Sequence, residues 1–527
     1  MDVELSPFSR VTSNMQSSFI LQDLGRNMRA LLRIQQQIAS GKRIVMPSMD
    51  PVGANSVMEF QDLLERYEQY VRNIDMNSGR LNMSDAALAD VFEVLVEAKE
   101  LAIEQANDIS ANADTRLAAS RQVTELINEV VNIANRRFGK LYVFAGSETE
   151  TSPFVVMGDS VLYNGNDEAV AIGISDGAQL QVNVTGAEAF GALVAEVGSA
   201  GDVDPILSDG SGGDRATALS DLNRGTGVRR GSIRISDGTS TVDVNLSDAE
   251  NVGDVVSMIN NSAGGLVTAT MTATGITLTA AGGPVTVEEV AGGSTAFDLG
   301  ILQPTAVAVV VGSDLDPVPN LLTDLSLLGG GAGIDLSGIT ITNGTYSVSI
   351  SFAGATTVQD VLNAINGSGV YVEADMNDAG TGIVIRSRLS GATMTVDENG
   401  GTSATDLGVL ETTGVSSDSV FTPLLRLREA LIANDQAGIS AQIGTLDEVM
   451  TIVLDAQATI GTRVQRLELS GERLSNESLH VRSLLSSLQD VDMAEAAVGF
   501  QQQQNALEAS LAMAAAILRP SLLDYIS

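Results

Sequence analysis

The 527-residue chain holds few side chains able to do covalent or metal chemistry. Cysteine is absent and histidine occurs once, at His480. Disulfides, thiol catalysis and Cys-ligated metals are therefore excluded, and most His-based chemistry goes with them. The stretch LGGGAGI (328–334) has the glycines of a loop that cradles phosphate. It lacks the Gly-Lys-Ser/Thr that would grip one and a clear strand-to-helix setting, so it reads as a flexible link between domains. DVDPILSDG, beginning at Asp202, spaces its aspartates suggestively. Without EF-hand spacing or a terminal glutamate, it reads as a solvated acidic loop rather than a calcium site. The acids of the middle region have no His, Lys or Cys partner arranged for acid–base work. Asn343-Gly344-Thr345 has the form of a glycosylation sequon and reads first as a turn. No catalytic, cofactor-binding or metal site is assigned, no cofactor is implied, and the chain is not expected to be an enzyme.

The elements that carry these residues form a multidomain chain, since the length is several times the ~100–200 residues of one domain. The net charge of −37 argues against nucleic acid, which needs a basic footprint. The excess is uneven: residues 151–420 hold 32 acids against 7 bases, and the two ends together 34 against 22. An acidic middle stays soluble and self-repelling in water, and a salt-rich habitat would favour the same composition. No apolar run is long enough to span a membrane, and MDVELSPFSRVTSNMQ at the start has no basic-then-apolar signal pattern.

Both ends follow a heptad rule. Leu21, Leu24, Met28, Leu31, Gln35 and Ile38 recur at alternating spacings of 3 and 4. The rule resumes through Val57, Phe60, Leu64, Tyr67, Val71, Ile74, Ser78, Leu81, Asp85, Leu88, Phe92 and Leu95, and a third helix is predicted over about 114–138. At the far end Val464, Leu467, Gly471, Leu474, Ser478, Val481, Leu485 and Leu488 form one seam, and Phe500, Gln504, Leu507, Leu511, Ala514 and Leu518 another. Narrow stripes of this kind need partner helices to bury them. The polar residues at seam positions (Gln35, Ser78, Asp85, Ser478, Gln504) either fix register and partner or face solvent. His480 lies off the seam and is expected to be exposed.

The first seam is interrupted by SGKRIVMPSMDPVGANSV (40–57). Gly41 suits the left-handed turn that ends a helix. Pro47 and Pro51 disfavour helix at the residues before them, and Pro51 suits the first turn of the next helix. The stretch is expected to be a compact turn that folds helix one back beside helix two.

The middle is rich in Gly, Thr, Ser and Val, with strict alternation in SIRIS, VDVNL, ITIT and YSVSI, the pattern of half-buried strands joined by Asp-Gly and Asn-Gly turns. It also repeats. GSIRISDGTSTVDVNLSDAENVGDVVSMINNS begins at Gly231, and GITITNGTYSVSISFAGATTVQDVLNAINGS begins at Gly338. Each copy leads through a hairpin to a helix capped by Asn251 or Thr357, with Asp254 or Asp360 three residues on. The expected fold is α+β and multidomain: a long antiparallel, coiled-coil-like stalk formed by the N- and C-terminal segments, with β-rich α+β domains inserted between them. The expected divisions are a helical region 1–140, a small β-rich domain 141–205, two α+β domains 206–310 and 311–420, and a helical region 421–527. The β repeats, about 206–420, are expected to be dispensable for core assembly, their deletion leaving the helical ends joined through the small domain after Phe154.

QQQIASGKRIVMPSMDPVGANSV resembles the helix break of the flagellar hook-associated protein 3 family, within the bacterial flagellin superfamily. There a Ser-Gly-Lys-Arg turn leads to Pro-Ser-Asp-Asp-Pro, and Met49 stands here in place of the first aspartate. FGKLYVFAGSETETSPF (138–154), LYNGNDEAV and VNVTGAEAFG are similar to the segments that follow in that family. So is the closing LQDVDMAEAAVGFQQQQNALEASLAMAAAILRPSLLDYI. Ile259-Asn260 and Ile365-Asn366 resemble the flagellin IN motif.

The resemblance implies a structural adaptor joining the hook, through another junction protein, to the flagellin filament. It also implies self-association in a ring or helical layer, type III export without a cleaved peptide, an extracellular place on the flagellum, and an export chaperone. Neither nucleic acid nor membrane is an expected partner. The subunit-packing residues are expected to be Leu21, Leu24, Met28, Leu31, Ile38, Gly41, Lys42, Arg43, Pro47, Asp50, Pro51, Leu64, Val71, Leu474, Val481, Leu485 and Leu488. Phe500, Leu507, Leu511 and Leu518 form the stripe expected to serve chaperone and assembly in turn. A flagellin-type filament subunit is the alternative, and a secreted β-modular adhesin or carbohydrate-binding protein the alternative of another class.

Overall fold

The computed structural model describes residues 13–107, 112–211 and 214–517. Helices α1 (Ser13–Ser40), α2 (Pro51–Gln105) and α3 (Ala113–Ala134) open the chain. The middle carries α4 (Gly186–Phe190), α5 (Val252–Ala263), α6 (Thr295–Asp298), α7 (Val358–Asn366) and α8 (Ser403–Asp406). Helices α9 (Phe421–Ile432), α10 (Gln436–Gln489) and α11 (Met493–Ile517) close it. The chain divides into two units, Met1–Gly79 with Ala171–Leu180 and Arg463–Ser527, and Arg80–Val170 with Gln181–Thr462.

In the first unit the helices pair antiparallel. Asn27 of α1 lies at Ser510 of α11 while Ile34 lies at Gly499, so one index rises as the other falls. Glu68 of α2 holds Arg482 of α10 at 3.0 Å, and Ile74 lies at Gly471. Val57, Ile74, Leu467, Leu474 and Val481 are buried, as a 3-4 spacing requires when one stripe meets another. The break does not fold α1 back on α2. Instead α1 packs along α11, because its apolar stripe finds a matching stripe there.

In the second unit α2 and α10 are again antiparallel, with Lys99 at 2.5 Å from Asp447 and Gln457 donating to Asp85. Leu81, Leu88, Leu95, Leu446, Val449, Val453 and Ile460 are buried there. Helix α3 packs on α9 and stops at Ala134, not near 138. Arg137–Phe138 instead form strand β1, paired with β2 (Leu141–Tyr142). Hairpin β3 (Phe154–Met157) and β4 (Ser160–Tyr163) follows, and after it β7 (Glu196–Val197); the ribbon β5 (Ala171–Ser175) and β6 (Ala178–Gln181), between them in sequence, falls in the first unit but for Gln181. Phe144, Phe154, Tyr163, Phe190 and Phe421 form one aromatic cluster, with ring centroids 5.0–5.8 Å apart and every member at 1 % exposure or less.

The first repeat comprises β8 (Ser232–Ser236), β9 (Thr241–Asn245), α5, β10 (Val267–Met271), β11 (Ile276–Ala280), β12 (Val285–Glu289), α6, β13 (Gln303–Val307) and β14 (Val309–Val311). The second comprises β15 (Ile339–Asn343), β16 (Tyr346–Ile350), α7, β17 (Val372–Met376), β18 (Ile383–Ser387), β19 (Leu389–Ser390), β20 (Thr393–Glu398), α8 and β21 (Glu411–Ser416). Their four-stranded sheets have the same order, β13-β12-β8-β9 and β21-β20-β15-β16. Both capping boxes form, Asn251 with Asp254 and Thr357 with Asp360.

The asparagine of each repeat has a physical task. The Asn260 amide donates to the Ala269 carbonyl at 2.9 Å and accepts from its N–H at 2.7 Å, and Asn366 does the same to Ala374. The side chain thus satisfies strand-edge groups on β10 and β17 that are buried and away from water. Replacing Asn366 with Ala leaves both Ala374 groups unpaired, at about 1–3 kcal/mol for each. A lowered urea midpoint is expected, and an unchanged one contradicts this role for the side chain.

The third strand of the smaller sheet differs between the copies. In the first repeat β11 takes β14, whereas in the second β18 takes β7, from before the first repeat. Strand β4 likewise pairs with β19. The second repeat's core includes Val197 and Val203, while the first repeat's core runs only from Leu207 to Leu315. The first repeat is therefore an insertion within the second. The segment 206–420 is not separable from the small β region, because two sheets cross the boundary drawn at 205.

Candidate functional site: the paired helix breaks

The chain turns twice in the first unit, over 41–50 and over 490–492. Gly41 has φ +69°, a backbone that an ordinary side chain strains and glycine tolerates, and α1 ends there. Pro51 is the first residue of α2, where its missing N–H needs no partner. Asp50 caps that helix, its Oδ1 accepting from the Gly53 N–H at 2.9 Å. A side chain on Gly53 would lie 2.5 Å from Asp50 Oδ2 and 2.7 Å from Ile44 Cδ1, so it would have to displace the capping carboxylate and Ile44. The Met49 N–H donates to the Met46 carbonyl at 3.0 Å, closing the turn with a backbone bond.

The second break has neither proline nor glycine. Asp492 makes it, Oδ1 accepting from the N–H groups of Ala494 at 2.8 Å and Glu495 at 3.1 Å to cap α11. The two breaks are joined as a short antiparallel bridge at Lys42 and Asp490. The Arg43 N–H donates to the Gln489 carbonyl at 2.6 Å, and the Val491 N–H to the Gly41 carbonyl at 3.0 Å. The Arg43 guanidinium adds bonds of 3.2 Å (Nε) and 2.9 Å (Nη2) to the Leu488 carbonyl, placing a cation at the C-terminus of α10 where the helix dipole favours it. Gln37 donates to the Arg43 carbonyl at 2.8 Å. Beneath, Ile44, Ala54 and Val57 pack with Leu485 and Leu488. Such an arrangement positions helices and has no group poised to react.

The expected packing residues divide. Leu474 and Val481 are buried, and Leu24, Leu31, Ile38, Asp50, Leu64, Val71, Leu485 and Leu488 are half-buried. Gly41, Lys42, Arg43, Pro47 and Pro51 lie at the surface. Leu21 and Met28 are 57 % exposed, so the chain does not bring them into its own seam. Phe500 and Leu507 are half-buried, Leu511 is exposed, and Leu518 lies outside the described residues. Of the polar seam residues Ser478 is buried, Ser78 and Gln504 are half-buried, and Gln35 and Asp85 are exposed. His480 is exposed. Apolar spacing missed a polar tie in the α1–α11 seam: Asn27 donates to Ser510 Oγ at 2.8 Å and accepts from Gln503 at 3.2 Å.

The other candidates are occupied by structure. The N–H groups of Gly329 and Gly330 donate to the carbonyls of Val203 and Asp204, so they are not free to cradle phosphate. Asp202 and Asp209 accept backbone N–H groups two residues on, from Asp204 and Ser211. Asn343 is fully buried and ties Val370, Tyr371 and Ser387 together, which removes it as a glycan acceptor.

Residues 11–149 match the bacterial flagellin N-terminal helical region, and residues 443–526 the bacterial flagellin C-terminal helical region. The chain is similar to flagellar hook-associated protein 3 of Salmonella typhimurium, 21% identical over 185 residues that cover 35% of this chain and 57% of that protein. It is similar to flagellin FlaB1 of Treponema pallidum, 24% identical over 181 residues that cover 32% of this chain and 63% of that one. The matches thus span little more than half the length of these relatives. The crystal structure of flagellar hook associated protein-3 from Legionella pneumophila superposes with a TM-score of 0.38 at 12% identity, covering 82% of this chain and 98% of that one. Both helical ends of the chain thus match bacterial flagellin helical regions, with the β-rich middle between them outside either match.

Proposed function

We propose that the protein is a structural subunit of the bacterial flagellum that joins the hook side to the filament and does no catalysis. The observation that carries this reading is where apolar surface lies. The first unit holds under a third of the residues but 16 of the 33 exposed large hydrophobic side chains among those described. On α1 and α11 these include Phe19, Leu21, Met28, Val498, Leu511 and Met513. Apolar helix faces of that extent call for partner helices. A like subunit in a ring or helical layer, a junction protein on the hook side and flagellin on the filament side would cover them in the assembly. Before export, a chaperone would hold the face of α11 that carries Phe500, Leu507 and Leu511. Among the described residues no helix is long and apolar enough to cross a membrane. The proposed location is the extracellular flagellum, reached by type III export.

Immunogold labelling of isolated flagella tests the reading. Label confined to the hook–filament boundary is expected. Label along the whole filament makes the chain a flagellin-type subunit, and label absent from flagella overturns the assignment.

A further inference from the structure

A cleft of about 710 Å³ opens in the second unit between the β3–β4 turn, the β15–β16 turn and the outer face of α9. That is within the ~300–1,000 Å³ of small-molecule sites. Its floor is apolar and ordered, made by Leu389, Ala392 and Leu425, each no more than 4 % exposed. Its wall is the ring of Tyr346, held edge-on against Tyr371 with centroids 5.0 Å apart, so the ring is fixed while about a third of the residue remains exposed. Its rim is polar. Arg428, with a side chain only 13 % exposed, holds Asp159, whose side chain is fully at the surface, at 2.7 Å. Arg426 lines the same cleft and has no hydrogen bond or ion pair among the described residues. Thr345, Ser160 and Glu429 complete the rim with hydroxyl and carboxylate groups.

The geometry points to a binding site for a saccharide bearing a single carboxylate. An apolar floor and an aromatic wall suit the C–H face of a pyranose ring, while hydroxyl and carboxylate groups around the rim suit its hydroxyls. The unpaired guanidinium of Arg426 matches a planar carboxylate, which it can bind through two parallel bonds. The surroundings set the charge of the ligand. Residues 151–420 carry 32 acids against 7 bases, and Asp159 and Glu429 stand on the rim, so a polyphosphate or other polyanion is repelled in proportion to its charge, more than a single carboxylate that Arg426 can offset. The site lies outside the helical unit and stands independently of the assembly role.

The test is saturation-transfer NMR and calorimetry on the full chain with methyl β-glucuronide, with methyl β-glucoside as its neutral isostere and acetate as the bare anion. The glucuronide is expected to bind on the order of tenfold more tightly than the glucoside. Arg426→Gln should abolish that preference and keep the weaker neutral binding, whereas Tyr346→Ala should weaken both sugars. Both side chains reach the surface, and unchanged circular dichroism and thermal midpoints would establish that the variants fold. No glucuronide binding at millimolar concentration overturns the proposal. So does binding indifferent to both substitutions, or acetate competing as well as the glucuronide, which would mark an anion contact without sugar recognition.

Discussion

Removing residues 207–316 should leave a folded protein, while removing 206–420 should not. The first repeat closes its own core between Leu207 and Leu315, and its two ends, Ile206 and Pro317, line one small cavity, so the cut ends can be rejoined by a short linker. The ties lost on excision are few, chiefly the Arg215 N–H to Asp324 at 2.8 Å and Asn320 to Asp221 at 2.7 Å. The longer deletion strips β19 from β4 and β18 from β7. It also exposes Leu162 and Val197, buried in those sheets, at roughly 1.5–3 kcal/mol for each such side chain. The Gly191 carbonyl loses its bond from Ser417 as well. Thermal unfolding of the two deletion variants checks this. The shorter should melt within a few degrees of the full chain, and the longer should melt far lower or aggregate. Equal stability of the two would refute the insertion topology.

The second large effect is expected at the paired breaks. Gly41→Val puts a β-branched residue at φ +69°, which costs roughly 1–3 kcal/mol of local strain. Arg43→Met removes both guanidinium bonds to the Leu488 carbonyl while keeping an apolar stem, at about 1 kcal/mol for an exposed site. The pair α1–α11 has a half-buried seam and little else within the chain, so a loss of that size shifts it toward the unpaired state by tenfold or more. The double variant should be cut by trypsin within 13–40 far faster than the wild type, with the second unit untouched. Unchanged cleavage would show that the joint does not hold the pair.

Where pattern and contact coincide, the fold was legible. Leu474 and Val481 sit on a stripe of 3-4 spacing that meets another stripe, and burial follows the apolar count. The repeats were legible because alternation, Asx turns and capping boxes are local signals, and each took its expected place. The α1–α11 seam was harder, since part of it is Asn27 with Gln503 and Ser510, which apolar periodicity does not register. The second break lacked Pro or Gly, yet Asp492 followed three residues later by Glu495 was a capping signature open to reading. The sharing of strands was not legible. A two-residue strand such as Glu196–Val197 has no periodicity, and its partner lies about 190 residues away in the chain, where only tertiary packing selects it. The cleft is likewise assembled from four separate segments of the chain.

Amide hydrogen exchange compared between the dilute monomer and the assembled flagellar structure tests the central claim most directly, that the exposed faces of α1 and α11 are an assembly surface. In the monomer, residues 13–40 and 493–517 should exchange much faster than the buried middle of α2 and α10, because their seam is only half-buried and their outer faces are bare. On assembly both segments should gain protection together, with the β repeats unchanged. Equal exchange of these segments in the two states would contradict the claim, as would protection gained in the repeats alone.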